Sequence, residues 1–139
     1  MSVNREQLCG LIPHAGSMCL LGSVETWDED TIVCTATSHR DAANPLRAGN
    51  HLPAICGIEF GAQAMAVHGG LLAATGARRG YLASVRNLEM HVEYLDTGGP
   101  LLTVAAVRLL NNDNNQMYEF TIRDGDQLLL SGRAAVFLQ

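Results

Sequence analysis

Glu59 is the residue whose type and position point most directly to chemistry. It is the only acidic residue between Asp41 and Glu89, and it lies in the first turns of an otherwise apolar helical stretch. A carboxylate in apolar surroundings is costly unless it is used. We therefore interpret Glu59 as a functional carboxylate; the structural alternative is a glutamate at a solvent-exposed helix end, favoured by the helix dipole. Gln63 lies one i+4 step along the same face and can hold the orientation of this carboxylate.

Five histidines could act together with this carboxylate. Each of them taken alone is better interpreted as a histidine with a structural role, and only a partnership with Glu59 would change that interpretation. They occupy a turn after a proline (His14), the two ends of an irregular loop (His39 and His51), the helical stretch (His68) and a strand (His91).

Other kinds of site find little support in the residues. The spacing His51-x-x-x-x-Cys56 is not a metal-ligand pattern, and no further ligands accompany it. No G-x-S-x-G motif is present. All nine basic residues are arginine, which excludes a Schiff-base lysine and the lysine of a phosphate-binding loop. Cys56 near a helix N-terminus could be a nucleophile, but small buried cysteines are common.

Composition limits the class of protein. The chain has 139 residues, 47% of them hydrophobic, so we expect residues 1–139 to form a single domain. A net charge of −5 with 5% aromatic residues argues against nucleic acid or an anionic membrane as a partner. The four cysteines show no C-x-x-C spacing, and no apolar run approaches the roughly 20 residues that span a bilayer. These features predict a soluble protein in the reducing cytoplasm.

The candidate residues must be positioned by the elements around them. The longest helical pattern runs from about Cys56 to Ala74 and contains four glycines. Each glycine costs about 1 kcal/mol in a helix relative to alanine, so burial on every side must support this helix. One curved antiparallel sheet wrapped around it would do so, an α+β arrangement called the hotdog fold. The other elements predicted are a short helical stretch (Asn4–Leu8), a hairpin (Met18–Val24 and Thr31–Ala36), an irregular loop (His39–Pro53) and four strands (Gly80–Leu95, Leu101–Leu110, Gln116–Arg123 and Gln127–Leu138).

Two segments resemble motifs of the β-hydroxyacyl carrier-protein dehydratases. Leu52–Gln63 is similar to the family's helix-entry motif M-P-G-V-x-x-x-E-A-x-A-Q, and the proline-to-glutamate and glutamate-to-glutamine intervals match. Ile12–Gly22 is similar to L-P-H-R-x-P-x-L-L-V-D, with glycine in place of the final aspartate. Three further segments, His39–Arg40, Asn44–Arg47 and Gly57–Ala66, more closely resemble the dehydratase-like hotdog proteins encoded with aryl-polyene lipid pathways.

The resemblance implies dehydration of a 3-hydroxyacyl thioester to the trans-2-enoyl thioester. Glu59 would then act as the acid on the hydroxyl group and hold the water, and a histidine would take the α-proton. The family carries this histidine in a G-H-F-P motif fourteen residues before the glutamate, where this sequence has Pro45. We choose His14 as the base because it lies within a matching motif, and His39 and His51 are the runners-up.

The resemblance also implies the rest of the substrate site. Backbone N–H groups around Gly57 would meet the thioester carbonyl, and Gln63, His39 and His51 would contact the substrate. Acyl carrier protein or coenzyme A would carry the acyl group, and no metal or redox cofactor is implied. Two alternatives stay open. One is a thioesterase in which Glu59 activates water, and the other is a non-catalytic subunit that binds acyl chains or completes a partner's site.

An assembly of two chains is implied as well. One helix and one sheet leave a sheet edge unpaired, and proteins cover or use such edges. Hotdog proteins pair edge to edge, and each active site takes its glutamate from one subunit and its histidine from the other. We therefore expect a homodimer, or a heterodimer with a paralogue. The interface strand would be Gly80–Val92, whose apolar residues include Tyr81, Leu82, Ala83 and Val85.

Overall fold

One long helix packs against a six-stranded antiparallel sheet, which confirms the predicted α+β arrangement. The structure is a computed structural model, and it describes residues 2–12, 18–73, 80–112 and 114–138. The helices are α1 (Arg5–Cys9) and α2 (Gly57–Leu72), and the strands are β1 (Ser23–Trp27), β2 (Thr31–Ala36), β3 (Gly80–Met90), β4 (Leu102–Asn111), β5 (Asn115–Asp124) and β6 (Gln127–Leu138). Within the sheet the strands follow the order β1-β2-β4-β5-β6-β3.

The alternating pattern of β5 decides which face of the sheet covers the helix. Tyr118, Phe120 and Ile122 are buried, whereas Glu119 on the opposite face is exposed. Successive side chains of a strand point to opposite faces, so the three apolar residues lie on the inner face together. The inner face of β5 therefore forms part of the core against α2.

The first strand is shorter than predicted. The apolar run from Met18 was expected to be extended, but β1 begins only at Ser23. The Met18 carbonyl and the Leu20 N–H are bonded to the side-chain amide of Gln63 instead of to a neighbouring strand. A helix side chain thus takes the backbone groups that a sheet ladder would otherwise use.

The loop between β2 and α2 is irregular, as predicted, apart from 3-10 turns at Ser38–Arg40 and Ala54–Cys56. Two polar residues of this loop are buried in the core. His39 and Asn44 have exposed fractions of only 0% and 6%. The Asn44 side chain donates to the Ser38 carbonyl and accepts from the Leu46 N–H, so its burial leaves both amide atoms bonded.

Two glycines let α2 approach the sheet closely. A Cβ on Gly57 would lie 2.8 Å from Ile122 Cδ1, and a Cβ on Gly61 would lie 2.6 Å from Phe120 Cδ2. Neither distance is compatible with a real side chain in place. The cost of glycine within the helix is therefore offset by close packing between helix and sheet.

The prediction that α2 is covered on every side is wrong. Ile55, in the 3-10 turn Ala54–Cys56 that leads into the helix, is 48% exposed, and Ala66 is also exposed. Between and beyond them Ile58, Glu59, Ala62 and Gly69 are only partly buried. This uncovered stripe, Ile55 to Gly69 at helical spacing, faces away from the sheet of its own chain.

Strand β3 lies at one end of the sheet and pairs with β6. Its Leu82 and Met90 are 43% and 50% exposed. The strand that the sequence places at a dimer interface is therefore an edge strand with exposed apolar side chains.

Cys9 and Cys19 form a disulfide that the sequence analysis did not predict. They are ten positions apart, and the short helix α1 brings the first of them back beside the segment that precedes β1. The two other cysteines, Cys34 and Cys56, are free. Tertiary packing brings the two cysteines together, and the spacing of cysteines along the sequence does not predict such packing.

The helical stretch Ala54–Leu72 is long and apolar enough to cross a membrane by length and composition, contrary to the sequence expectation. It has 19 residues and a mean hydropathy of 1.2. However, it packs on β2, β4 and β5, and 44% of its apolar window is buried. Its contacts are those of the core helix.

Candidate active site

Glu59 stands in the first turn of α2 and is partly buried. The 3-10 turn Ala54–Cys56 runs directly into the helix and sets where this turn lies. Glu59 is therefore neither sealed in the core nor fully exposed at a helix end. Its carboxylate lies on the stripe that the sheet of its own chain does not cover.

Gln63 fixes this carboxylate to the segment before β1. Its Nε2 lies 3.4 Å from Glu59 Oε1 and donates to the Met18 carbonyl at 2.7 Å. Its Oε1 accepts from the Leu20 N–H at 2.9 Å. Gln63 is only 1% exposed, and its bond from the Leu20 N–H is buried, whereas its contacts with Met18 and Glu59 are partly buried. The i+4 contact expected from the sequence is present, and it extends into a buried network.

His39 is fully buried. Its Nε2 lies 2.9 Å from the Gly99 carbonyl, which can only accept, so this nitrogen carries the hydrogen. Its Nδ1 has no hydrogen-bond partner among the residues that the structure describes. Burial lowers the pKa of His39, which favours the neutral ring. His39 secures the turn at Gly99 and exposes no atom to a substrate.

His51, one of the histidines predicted for the site, has an accessible side chain, which is 49% exposed. Its Nδ1 lies 3.5 Å from Asp96 Oδ2, and its ring stacks on Tyr94 with centroids 4.5 Å apart. A carboxylate at Nδ1 orients an imidazole and leaves Nε2 available for proton transfer. Among the predicted histidines that the structure describes, His51 is the one that a substrate could reach.

Asp96 is the residue of this region that sequence reasoning missed. It accepts from the Leu52 N–H at 3.0 Å and from Arg47 Nη2 at 3.2 Å, in addition to facing His51. Burial acts to raise the pKa of Asp96, but these hydrogen bonds and the charge of Arg47 outweigh it and hold the pKa below its ordinary value. Asp96 lies shortly before a Gly-Gly-Pro turn, and no local sequence pattern indicates that it accepts several hydrogen bonds.

His14, the predicted base, lies outside the described residues, so its role stays a prediction. His68 has a structural role: its Nε2 donates to the Asp28 carbonyl at 2.8 Å, and the Tyr118 hydroxyl donates to its Nδ1 at 2.7 Å. Burial lowers the pKa of His68 and raises that of Tyr118 to about 12. His91 is exposed.

Packing explains Gly57 without reference to a substrate. Its N–H donates to the Ala54 carbonyl and closes the 3-10 turn, and its Cα faces Ile122. A contact between this backbone and a thioester carbonyl stays a prediction. Cys56 does not have the features of a nucleophile, because burial raises the pKa of its thiol.

The position that the dehydratase histidine would occupy is part of a turn. Asn44 is buried with both side-chain amide atoms bonded, and Pro45 beside it is exposed. Neither side chain can accept a substrate proton in the way an imidazole does. Within the described ranges, no group of three or more histidine, cysteine, aspartate or glutamate residues is arranged to hold a metal ion.

Comparisons with known proteins agree with this architecture. A family model described as ApeP dehydratase (ApeP-like) matches residues 6–139. The dehydratase heterocomplex ApeI:P from Xenorhabdus doucetiae is similar in structure, with a TM-score of 0.85 and 25% identity over 95% of this chain and 90% of that chain. No curated protein matches the sequence significantly.

Thioesterase structures share the fold at lower identity. The thioesterase HI1161 from Haemophilus influenzae has a TM-score of 0.65 and 16% identity over 98% of this chain and 90% of that chain. A hypothetical thioesterase with coenzyme A from Streptococcus pneumoniae has a TM-score of 0.58 and 11% identity over 84% of each chain. At such identities the likeness concerns the hotdog fold alone.

Proposed function

The chain belongs to the ApeP-like dehydratase family, and on that premise we propose how it dehydrates a 3-hydroxyacyl thioester to the trans-2-enoyl thioester. The protein is a dehydratase, that is, a lyase. We propose that acyl carrier protein presents the acyl chain, in the cytoplasm and in aryl-polyene-type lipid synthesis. The observation that carries the residue assignment is the Glu59–Gln63 pair at the start of α2.

In the proposed reaction Glu59 protonates the β-hydroxyl group, which leaves as water. A histidine takes the α-proton, and the electron pair of the broken C–H bond forms the double bond. A positioned acid and a positioned base typically contribute 10²–10⁴-fold each. Gln63 supports this role because its amide contacts the Glu59 carboxylate and favours its position on the stripe. Backbone N–H groups near the helix start remain our proposal for the thioester carbonyl.

We keep His14 as the proposed base, because it lies within the segment that matches the family motif. Among the described histidines, the accessibility of His51 supports it as the alternative, and the burial of His39 argues against a direct role. Replacing each by alanine separates the candidates. Near-wild-type turnover of the His14→Ala protein, together with a large loss in His51→Ala, would reverse the order.

The proposed assembly pairs this chain with a paralogue, or with a second copy. Three observations support it: β3 is an edge strand with exposed apolar residues, the stripe on α2 is uncovered, and the similar Xenorhabdus structure is named a heterocomplex. The stripe contains Glu59, so a partner seated there would complete the site. The proline at the usual histidine position supports a paralogue as the partner, with this chain completing the site of that paralogue.

Mass spectrometry of the reaction tests the function. The protein, alone and after co-expression with a paralogous dehydratase subunit, is incubated with a 3-hydroxyacyl carrier-protein thioester. We expect loss of one water from the acyl chain, and the Glu59→Gln protein serves as the control. Release of free acid would instead indicate a thioesterase, and an unchanged substrate under every condition would indicate an acyl-binding subunit.

A monomeric mass of the active species by light scattering would contradict the assembly. Subunit mixing provides a second test for a homodimer. After statistical exchange between Glu59→Gln and His14→Ala chains, half of the dimers are mixed and one of their two sites is intact, so about a quarter of the sites should recover. Absence of recovery would reject a homodimer with shared sites.

A further inference from the structure

The backbone segment Met18–Leu20 is held at several points. Arg5 of α1 donates to the Cys19 carbonyl at 2.9 Å, and the Ser38 hydroxyl donates to the Leu20 carbonyl at 2.7 Å. Two further restraints hold it from opposite sides. On one side the disulfide joins Cys19 to Cys9 at the end of α1. On the other side Gln63 accepts from the Leu20 N–H at 2.9 Å and donates to the Met18 carbonyl at 2.7 Å. The covalent bond and the two hydrogen bonds therefore restrain three consecutive residues.

The same glutamine reaches the proposed catalytic acid. Its Nε2, which donates to the Met18 carbonyl, also lies 3.4 Å from Glu59 Oε1. Because an amide group is planar, its Oε1 and Nε2 move together. A displacement of the backbone at Met18–Leu20 must therefore either break a buried hydrogen bond or rotate the amide relative to Glu59.

We propose that Cys9–Cys19 is a thiol–disulfide exchange site that controls how firmly Glu59 is held, through Met18–Leu20 and Gln63. The proposal rests on the function proposed above, because Glu59 is the acid of that reaction. With the disulfide formed, the segment is anchored to α1 and the glutamine holds the carboxylate. After reduction the segment keeps only its non-covalent contacts, and Glu59 samples more orientations.

The reaction is a thiol–disulfide exchange in which a small thiol, such as a glutathione-type reductant, reduces the Cys9–Cys19 disulfide. Cys9 is partly exposed, whereas Cys19 is 1% exposed, so the incoming thiolate attacks the Cys9 sulfur. Cys19 leaves as a thiolate and takes a proton. A second thiol then attacks the mixed disulfide, which releases Cys9 as a thiol and forms the disulfide of the small thiol. In the cytoplasm, protein disulfides are usually transient or redox-sensing.

The two free cysteines do not compete for this chemistry. Burial raises the pKa of Cys34 to about 12 and also raises the pKa of Cys56. Since the thiolate is the reactive form, both are less reactive near neutral pH than an ordinary exposed thiol. Exchange is therefore expected to be confined to the Cys9–Cys19 pair.

Thiol counting is the first test. The protein is denatured without reductant, alkylated with iodoacetamide and measured by mass. We expect two alkylated cysteines, the free Cys34 and Cys56, and four after reduction, since the chain has four in all. Four alkylated cysteines in protein purified without reductant and exposed to oxidised glutathione would overturn the proposal.

Steady-state dehydration by the active assembly is the second test, with glutathione in its oxidised or reduced form. Reduction is expected to lower kcat roughly tenfold, within the range that packed networks transmit, with little change in KM. The Cys9→Ser/Cys19→Ser protein should show the low kcat in both buffers, and Cys56→Ser should keep the full redox response. An unchanged kcat on reduction of the wild-type protein, with only a lower Tm, would show that the disulfide is purely structural.

The path through Gln63 has its own test, which does not depend on activity. Hydrogen exchange of the Leu20 N–H should accelerate on reduction, because its acceptor is Gln63 Oε1. The Gln63→Met protein, checked for native circular dichroism, should lose the redox response of kcat. Unaltered exchange at Leu20 would overturn the coupling even if no substrate is turned over. Absence of dehydration in both redox states, with exchange responding as expected, would reject the proposed function and keep the structural coupling.

Discussion

Replacing Asp96 by asparagine is expected to loosen the loop that leads into α2. The Asp96 carboxylate accepts from the Leu52 N–H at 3.0 Å and contacts Arg47 at 3.2 Å and His51 at 3.5 Å. Its side chain is 8% exposed. Asparagine can keep the bond from Leu52 with its oxygen. Its NH2 group, however, would face the two other donors, so the charge-assisted contact with Arg47 is lost.

The size of the loss follows from what remains around Arg47. Breaking a buried ion pair costs about 3–5 kcal/mol when the surviving charge is left without partners. Here Arg47 keeps bonds to the carbonyls of His39 and Asn50, so its charge stays solvated by the protein. The cost should therefore be that of one hydrogen bond between charged groups, about 1.5–3 kcal/mol.

Urea unfolding at neutral pH measures this difference, with the exposed Asp126→Asn as a control that should change the free energy of unfolding by less than about 0.5 kcal/mol. The dependence on pH adds a second check. The folded protein lowers the pKa of Asp96 below 3.8, so its contribution to stability is present above that value and is lost as the pH falls through the lowered pKa. The gap between wild type and Asp96→Asn should close in acid. A gap below about 0.5 kcal/mol at neutral pH would refute the assignment of Asp96 as the hub of this loop.

Three further predictions concern the helix and the buried histidines. Glu59→Gln should lower kcat by about 10²-fold or more with unchanged circular dichroism, and a smaller loss would argue against its role as the acid. Gly61→Ala should destabilise the protein by about 1–3 kcal/mol through overpacking against the sheet. Gly69→Ala should not, because a Cβ at position 69 would have no atom within 4 Å. Equal losses of stability in thermal unfolding would contradict the close contact between Gly61 and the sheet. Burial lowers the pKa values of His39 and His68, so the unfolded chain binds more protons than the folded protein below pH 6.5. The free energy of unfolding should therefore fall as the pH drops below that value. A free energy of unfolding by urea that stays constant from pH 7 to 5 would contradict this.

Local periodicity determined much of the fold. Alternating residues such as Tyr118 and Phe120 determined a strand and its inner face, because the side-chain repeat of a strand is a property of the backbone alone. The Glu59–Gln63 contact was predictable for the same reason: residues four apart on a helix are neighbours whatever surrounds them. The order of the elements then left few ways to cover an apolar helix.

Only the tertiary structure decided the long-range features of the site. Arg47 and Asp96 are 49 positions apart and meet because the irregular loop folds back beside the segment after β3. His39 and His51 looked equivalent in the sequence, yet one is buried and the other is half exposed. The pairing of Cys9 with Cys19 depends in the same way on where α1 packs. Such contacts depend on the path of the irregular backbone. The packing of the whole chain sets this path, and irregular backbone has no periodic residue pattern from which the path could be predicted.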